Sequence, residues 1–245
     1  MDKGLSVRGL FVTGTGTEVG KSIVAGGLAA LLREEGVDVG VMKPAESGCE
    51  TVNGRVVAAD GEFLRQMAGN DDDLDRVVSY RFTAPVAPGV AAEMENVTIN
   101  PERIIANFND LAERHEFLLV EGAGGVLVPL CGDFLVLDLM KLLRLPILVV
   151  GRGDLGTINH TLLTVRCVVA ENLRPVGIIL NNLSAAETVA SRTNPGVIER
   201  LTDVPIWGVL PYRKGLCANQ QCRDMIVGTI RENLELKYLN SLIDY

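Results

Sequence analysis

The chain has 245 residues, a formal net charge of −8 and five cysteines. That length is enough to bury a large core. The acidic balance excludes a nonspecific nucleic-acid surface, which needs surplus Lys and Arg, but still allows a phosphorylated ligand, since one loop of backbone N–H groups can hold it.

The first predicted strand, Gly9–Gly14 ("GLFVTG"), follows an amino terminus, "MDKGLSVRGLFV", without the shape of a signal peptide. It runs into "TGTEVGKS" and then an apolar helix over Ser22–Glu35, stopped by Gly36, a residue suited to the left-handed C′ position. Strand, glycine-rich turn, Gly-Lys-Ser and helix, in that order, form the layout of a phosphate-binding loop. Its glycines let the backbone approach phosphate. Lys21 reaches the outer phosphates, and the Ser22 hydroxyl completes a Mg²⁺ shell. The spacing is unusual. The common form has four residues between the first glycine and Gly-Lys-Ser, whereas Gly14 leaves five and Gly16 leaves three. The Thr17 hydroxyl is placed for phosphate. Glu18 would repel phosphate, so it faces a nucleotide sugar, a cationic group or water.

A second strand, Asp38–Pro44, carries Lys43 to its end, either at the surface or over the same sheet edge as Lys21. Asp60 opens a helix in "VVAADGEFL" and by itself reads as an N-cap. "NDDDLD" at 70–75 reads as a solvated turn and helix start, with a metal cluster as the lesser alternative. Asn100-Pro101 is an N-cap followed by proline at N1, and its helix runs to about His115. The strand Phe117–Gly122 ends on Glu121 just before "GAGG". A carboxylate there lies where open α/β sheets bind ligands, and it either faces Mg²⁺, as in nucleotide enzymes, or is a solvated strand-end glutamate.

Next come the strand Pro146–Gly151 and the helix Thr157–Asn172. That helix opens as "LGTINHTLL", with free N–H groups suited to a carboxylate or phosphate. His160 reads as packed or hydrogen-bonded rather than catalytic. The last two strands are Val176–Asn182 and Pro205–Pro211. Asn181 and Asn182 either read an adenine edge through their amides or form a plain turn. Pro211, Tyr212 and Arg213 would flank the same base.

Continuous apolar strands alternating with helices predict an α/β fold over residues 1–245: one doubly wound domain with a mostly parallel sheet and right-handed crossovers. The apolar runs are too short to cross a bilayer. The cysteines are scattered, with no pair at zinc or redox spacing and no histidine near Cys217 and Cys222. This pattern points to reduced thiols in a cytoplasmic chain. No Ser-His-Asp or Cys-His arrangement is present, and two histidines cannot build a histidine-rich metal site.

"VTGTGTEVGKS" resembles the loop of the dethiobiotin synthetases, P-loop NTPases whose pattern T-G-T-x-T-x-V-G-K-T/S carries this longer spacing. The resemblance extends to "MKPAESG", "LVEGAGGVLVPL", "PILVVGRGDLGTINHTLLT", the Asn181-Asn182 strand end and the "GVLP" of the last strand. It implies an ATP-dependent cyclo-ligase of biotin biosynthesis. Such an enzyme closes the ureido ring of dethiobiotin from 7,8-diaminopelargonate and CO₂, with ATP as co-substrate and Mg²⁺ as cofactor.

By the same resemblance, Thr17, Lys21 and Lys43 are catalytic, with Thr17 touching phosphate or carbamate. Glu18, Val19, Gly20, Lys21, Ser22, Asp60, Glu121, Gly122, Ala123, Gly124, Asn181, Asn182, Pro211, Tyr212 and Arg213 surround ATP. Ser22, Asp60 and Glu121 hold Mg²⁺. Ser47 contacts the diamine substrate, and Gly156, Thr157, Ile158 and Asn159 receive its far carboxylate across a homodimer interface. Gly16, Ala84 and Gly89 depart from residues common in the family, which bears on substrate contacts more than on ATP.

Two rivals remain. Another amide- or ring-forming P-loop ligase would need a glutamine-hydrolysing domain, and no nucleophile motif for one is visible. A partitioning-type nucleotide switch usually carries another lysine early in the loop, and "GTGTEVGKS" has none before Lys21.

Overall fold

The computed structural model describes residues 7–243, so part of the amino-terminal reading, residues 1–6, lies outside the described residues. Six strands form the central sheet: β1 (Gly9–Gly14), β2 (Val39–Met42), β3 (Phe117–Gly125), β4 (Ile147–Arg152), β5 (Pro175–Asn181) and β6 (Ile206–Leu210). Their spatial order is β6-β5-β4-β1-β3-β2, and every pairing is parallel. All six predicted strands are present, with ends shifted by one or two residues and β3 running on through Gly125.

The apolar runs are continuous because successive side chains feed opposite cores. Leu10, Val12, Leu119, Leu148, Val150 and Ile179 point into one cluster. Phe11, Leu118, Val120, Ile147, Val149, Ile178 and Leu180 point into the other. The first face is covered by α1 (Lys21–Glu34) and α2 (Ala59–Ala68), and by the last two helices. A short helix, α3 (Leu74–Val77), follows α2. The second cluster draws on α4 (Pro88–Met94), α5 (Pro101–Arg114), α6 (Val136–Leu143), α7 (Thr157–Ala170) and α8 (Val189–Leu201). The chain closes with α9 (Arg223–Asn233) and α10 (Leu236–Ile243).

Helix ends follow the local chemistry. Gly36, at φ +87°, takes the left-handed turn after α1. The Asn100 side chain accepts from the Glu102 N–H at 2.9 Å, with Pro101 at N1 of α5. Asn172 falls in a left-handed turn after α7 rather than in the helix.

The side chains of the acidic run at 70–75 make structural contacts. Asp73 caps α3 by accepting from the Asp75 N–H at 3.0 Å, Asp72 faces His115 at 2.8 Å, and Asp75 pairs with Arg81. Among the described residues no group of three or more His, Cys, Asp and Glu side chains is arranged to hold a metal ion.

Candidate active site

β1 delivers the loop to the sheet's carboxyl edge. Gly20 adopts φ +93°, and a Cβ there would lie 2.0 Å from the Asn181 side-chain nitrogen, so only glycine fits. That nitrogen donates to the Val19 carbonyl at 3.2 Å, tying the end of β5 to the loop. Glu18 also lies in the left-handed region, at φ +56°. Lys21 opens α1 and folds back, its Nζ donating to the Gly16 carbonyl at 2.9 Å. Burial, with Lys43 nearby, lowers its pKa to about 8.

The neighbouring strands complete the site. β3 lies beside β1 with Glu121 opposite Val12, and their register then shifts before Gly14 meets Gly125. Glu121 is fully buried, and its Oε1 accepts from the Ser22 hydroxyl at 3.0 Å and from Lys43 Nζ. Lys43, just beyond β2, also donates to Asp60 at 2.9 Å. Burial opposes the Lys43 charge, but Glu121 and Asp60 outweigh it and hold the ammonium well above the usual lysine range. Burial lifts the Glu121 carboxyl above its ordinary value, with Lys43 opposing the rise. Asp60 lies below its ordinary range because Lys43 outweighs the effect of burial.

Asp60 is not the N-cap of α2, as its position had suggested. The helix begins at Ala59, and Asp60 turns its side chain to Lys43. The capping comes from Glu46, which the sequence reading missed. Its Oε1 accepts from the Asp60 N–H at 2.9 Å and its Oε2 from the Gly61 N–H at 3.0 Å. A carboxylate at that helix end meets free N–H groups and the positive end of the dipole. Burial and the nearby Asp60 charge raise the Glu46 pKa. Glu46 lies in a two-residue strand, Ala45–Glu46, paired with Tyr80–Arg81, and a cap reaching 14 residues ahead leaves no local spacing signal.

These side chains line one cavity of about 1100 Å³. It brings together Thr17, Glu18, Gly20, Lys21, Ser22, Lys43, Ser47, Asp60, Glu121, Ala123, Gly124, Asn181, Asn182, Pro211, Tyr212 and Arg213. Val19 and Gly122 lie behind the wall rather than on it: Val19 is buried in the core, and a Cβ on Gly122 would meet the Phe11 ring at 2.9 Å. Gly156, Thr157, Ile158 and Asn159 are not on this cavity. His160 is exposed rather than packed.

The oxygen set suits Mg²⁺. Glu121 Oε2 is buried with no hydrogen-bond partner among the described residues, although Oε1 of the same group has two. A buried carboxylate oxygen left without a donor is what a hard cation would satisfy. Ser22 and Asp60 would supply the neighbouring oxygens.

Comparison with known proteins gives the family. A family model described as AAA domain (AAA_26) matches residues 8–220. The ATP-dependent dethiobiotin synthetase BioD of Bacillus subtilis subsp. natto is 44% identical over 233 residues, covering 95% of this chain and 97% of that protein. The chain belongs to the dethiobiotin synthetase family. Another member, the ATP-dependent dethiobiotin synthetase BioD of Thermodesulfovibrio yellowstonii, is 38% identical over 242 residues, covering 96% of this chain and 99% of that protein. Among solved structures, a ParA family ATPase from Chlorobium tepidum TLS superposes with a TM-score of 0.54 at 17% identity, covering 97% of both chains. That likeness shows that the dethiobiotin synthetase family chain shares this α/β fold, and carries nothing further.

Proposed function

We propose that the chain is an ATP-dependent dethiobiotin synthetase that closes the ureido ring from 7,8-diaminopelargonate and CO₂. The observation that carries the reading is the convergence of the loop Lys21 and Ser22 with Lys43, Asp60 and Glu121 on one cavity. Phosphoryl transfer needs this set: a backbone cradle, cations for the developing charge and carboxylates for a metal.

In this reading one substrate amine captures CO₂ as a carbamate, losing a proton, and a carbamate oxygen attacks the γ-phosphoryl of ATP and expels ADP. The resulting carbamic–phosphoric anhydride is opened by the second amine, closing the five-membered urea and releasing phosphate. Lys21 and Lys43 neutralise the phosphoryl oxygens, and Thr17, exposed at the cavity, faces phosphate or carbamate. Bound by Ser22, Asp60 and Glu121, Mg²⁺ would supply Lewis-acid neutralisation of the phosphates. Asn182, Pro211, Tyr212 and Arg213 would frame the base. The Asn181 amide N–H already holds the loop, so its contribution there is to the loop's shape. Ser47 lies on the substrate side.

We further propose a homodimer in which Gly156, Thr157, Ile158 and Asn159 reach the partner's substrate. Their absence from the cavity lining and the apolar surface around them support this: Leu155 is 89% exposed and Leu163 58%. The protein is read as one domain over residues 1–245, working in the cytoplasm, and no helix of the described residues is long and apolar enough to cross a membrane.

The test is mass spectrometry of purified protein incubated with 7,8-diaminopelargonate, bicarbonate, Mg²⁺ and ATP. Dethiobiotin and ADP are expected. ATP turnover stimulated only by a protein or membrane partner, with no dethiobiotin, would favour the switch reading instead.

A further inference from the structure

Beyond the ring-forming chemistry, we propose that Cys217 and Cys222 form a reversible disulfide that staples the cavity wall where the nucleotide base would sit. Their sulfurs lie 3.0 Å apart, although the spacing of five residues matches no redox motif. The intervening segment is folded to bring them together: the Asn219 N–H donates to the Cys217 carbonyl at 2.8 Å, and the Cys222 N–H to the Asn219 carbonyl at 2.9 Å. Closing the pair to a covalent S–S length of about 2.05 Å needs only a small shift. Cys217 is exposed and Cys222 half-buried, so an oxidant can reach them, whereas Cys49 is buried.

The pair adjoins the functional wall. Leu216, Cys217 and Ala218 line the cavity together with Pro211, Tyr212 and Arg213. A staple across 217–222 removes freedom from this wall, so nucleotide exchange slows. This consequence rests on the ATP-site reading above, while the disulfide itself does not.

The oxidant is a low-molecular-weight disulfide. One cysteine thiolate attacks it, forming a mixed disulfide and expelling one thiolate. The second cysteine thiolate then attacks the protein-bound sulfur and expels the other. Both cysteines are oxidised, the small disulfide is reduced to two thiols, and the two cysteine protons pass to those thiols or to solvent. Hydrogen bonding to Cys222 raises the Cys217 pKa, so the thiol form predominates at neutral pH and the first attack needs added oxidant.

The experiment compares protein held in reduced glutathione with protein held in oxidised glutathione, each then alkylated and digested with trypsin. Cleavage after Lys214 and Arg223 yields one peptide, Gly215–Arg223, containing both cysteines. After oxidation this peptide should be lighter by two hydrogens and closed to alkylation. Dissociation of a fluorescent ATP analogue should slow by at least about threefold. Both changes should reverse with dithiothreitol and be absent in Cys222→Ser. An open, alkylated peptide after oxidation, or a closed peptide with unchanged release, overturns the proposal. Reduced protein that binds no nucleotide would sink the ATP-site reading and the gating with it, leaving peptide closure to test the bond alone.

Discussion

Ser22, the second residue of α1, donates its hydroxyl to Glu121 on β3 at 3.0 Å, joining residues 99 positions apart. The contact places the end of the phosphate loop and the buried carboxylate on one side of the sheet. Lys43, just beyond β2, meets the same carboxylate, so the loop, β2 and β3 form one site.

Lys43→Met should abolish ring formation, lowering kcat by about a hundredfold or more. It also leaves Glu121 and Asp60 without their shared cation, and removing one partner of a buried pair costs about 3–5 kcal/mol. Calorimetry should therefore find the metal-free variant less stable, with Mg²⁺ raising its Tm more than that of the parent. A variant of parental activity and stability would show that Lys43 has been misassigned.

For Asn181→Ala, the lost contact is the loop's tie to β5, which leaves the Val19 carbonyl unpaired at a cost of about 1–3 kcal/mol. Because the loop then holds its shape less well, KM for ATP should rise more than kcat falls. Steady-state kinetics with thermal melts would expose an unchanged KM, which contradicts this role.

Glu46 is the cap on which the Asp60 position depends. Glu46→Ala removes the acceptor of two N–H groups, while Glu46→Gln keeps one oxygen. The Mg²⁺ concentration for half-maximal activity should rise severalfold in the alanine variant and less in the glutamine variant, with Tm falling in the same order. Equal Mg²⁺ dependence in all three proteins would confine Glu46 to packing.

His115 provides a pH test away from the site. It joins α5 to Asp38 at 2.9 Å and Asp72 at 2.8 Å. Burial opposes its charge, but the hydrogen bonds to the two aspartates raise the pKa above the ordinary histidine value. A raised folded pKa means that the stabilisation is full below about 6.5, the unfolded value, and is lost as pH climbs through the folded one. His115→Gln should thus lower Tm more at pH 6 than at pH 9. Equal losses at both would remove the charge from the explanation.

The strands and the phosphate loop were legible in the sequence because their signals are local. Apolar runs such as "ILVV" announce a strand buried on both faces, and Gly-Lys-Ser after a strand announces the cradle. What was not legible depends on distance. Lys43 meets Asp60 across 17 residues and Glu121 across 78, and nothing in the local sequence records either contact. Asp60 looked like a helix cap because the true cap, Glu46, comes from another segment. The hairpin of Glu50–Val52 and Arg55–Val57 went unread although its turn, Asn53-Gly54 with both residues at positive φ, carries a local signal. The cysteine pair was passed over because a tight turn, not a motif, closes its spacing.

The claim that a carbamate oxygen takes the γ-phosphoryl group is tested most directly with ¹⁸O-labelled bicarbonate equilibrated with CO₂. If the account is right, the phosphate released with each dethiobiotin carries a single heavy oxygen derived from CO₂. Dethiobiotin formed alongside wholly unlabelled phosphate would contradict it.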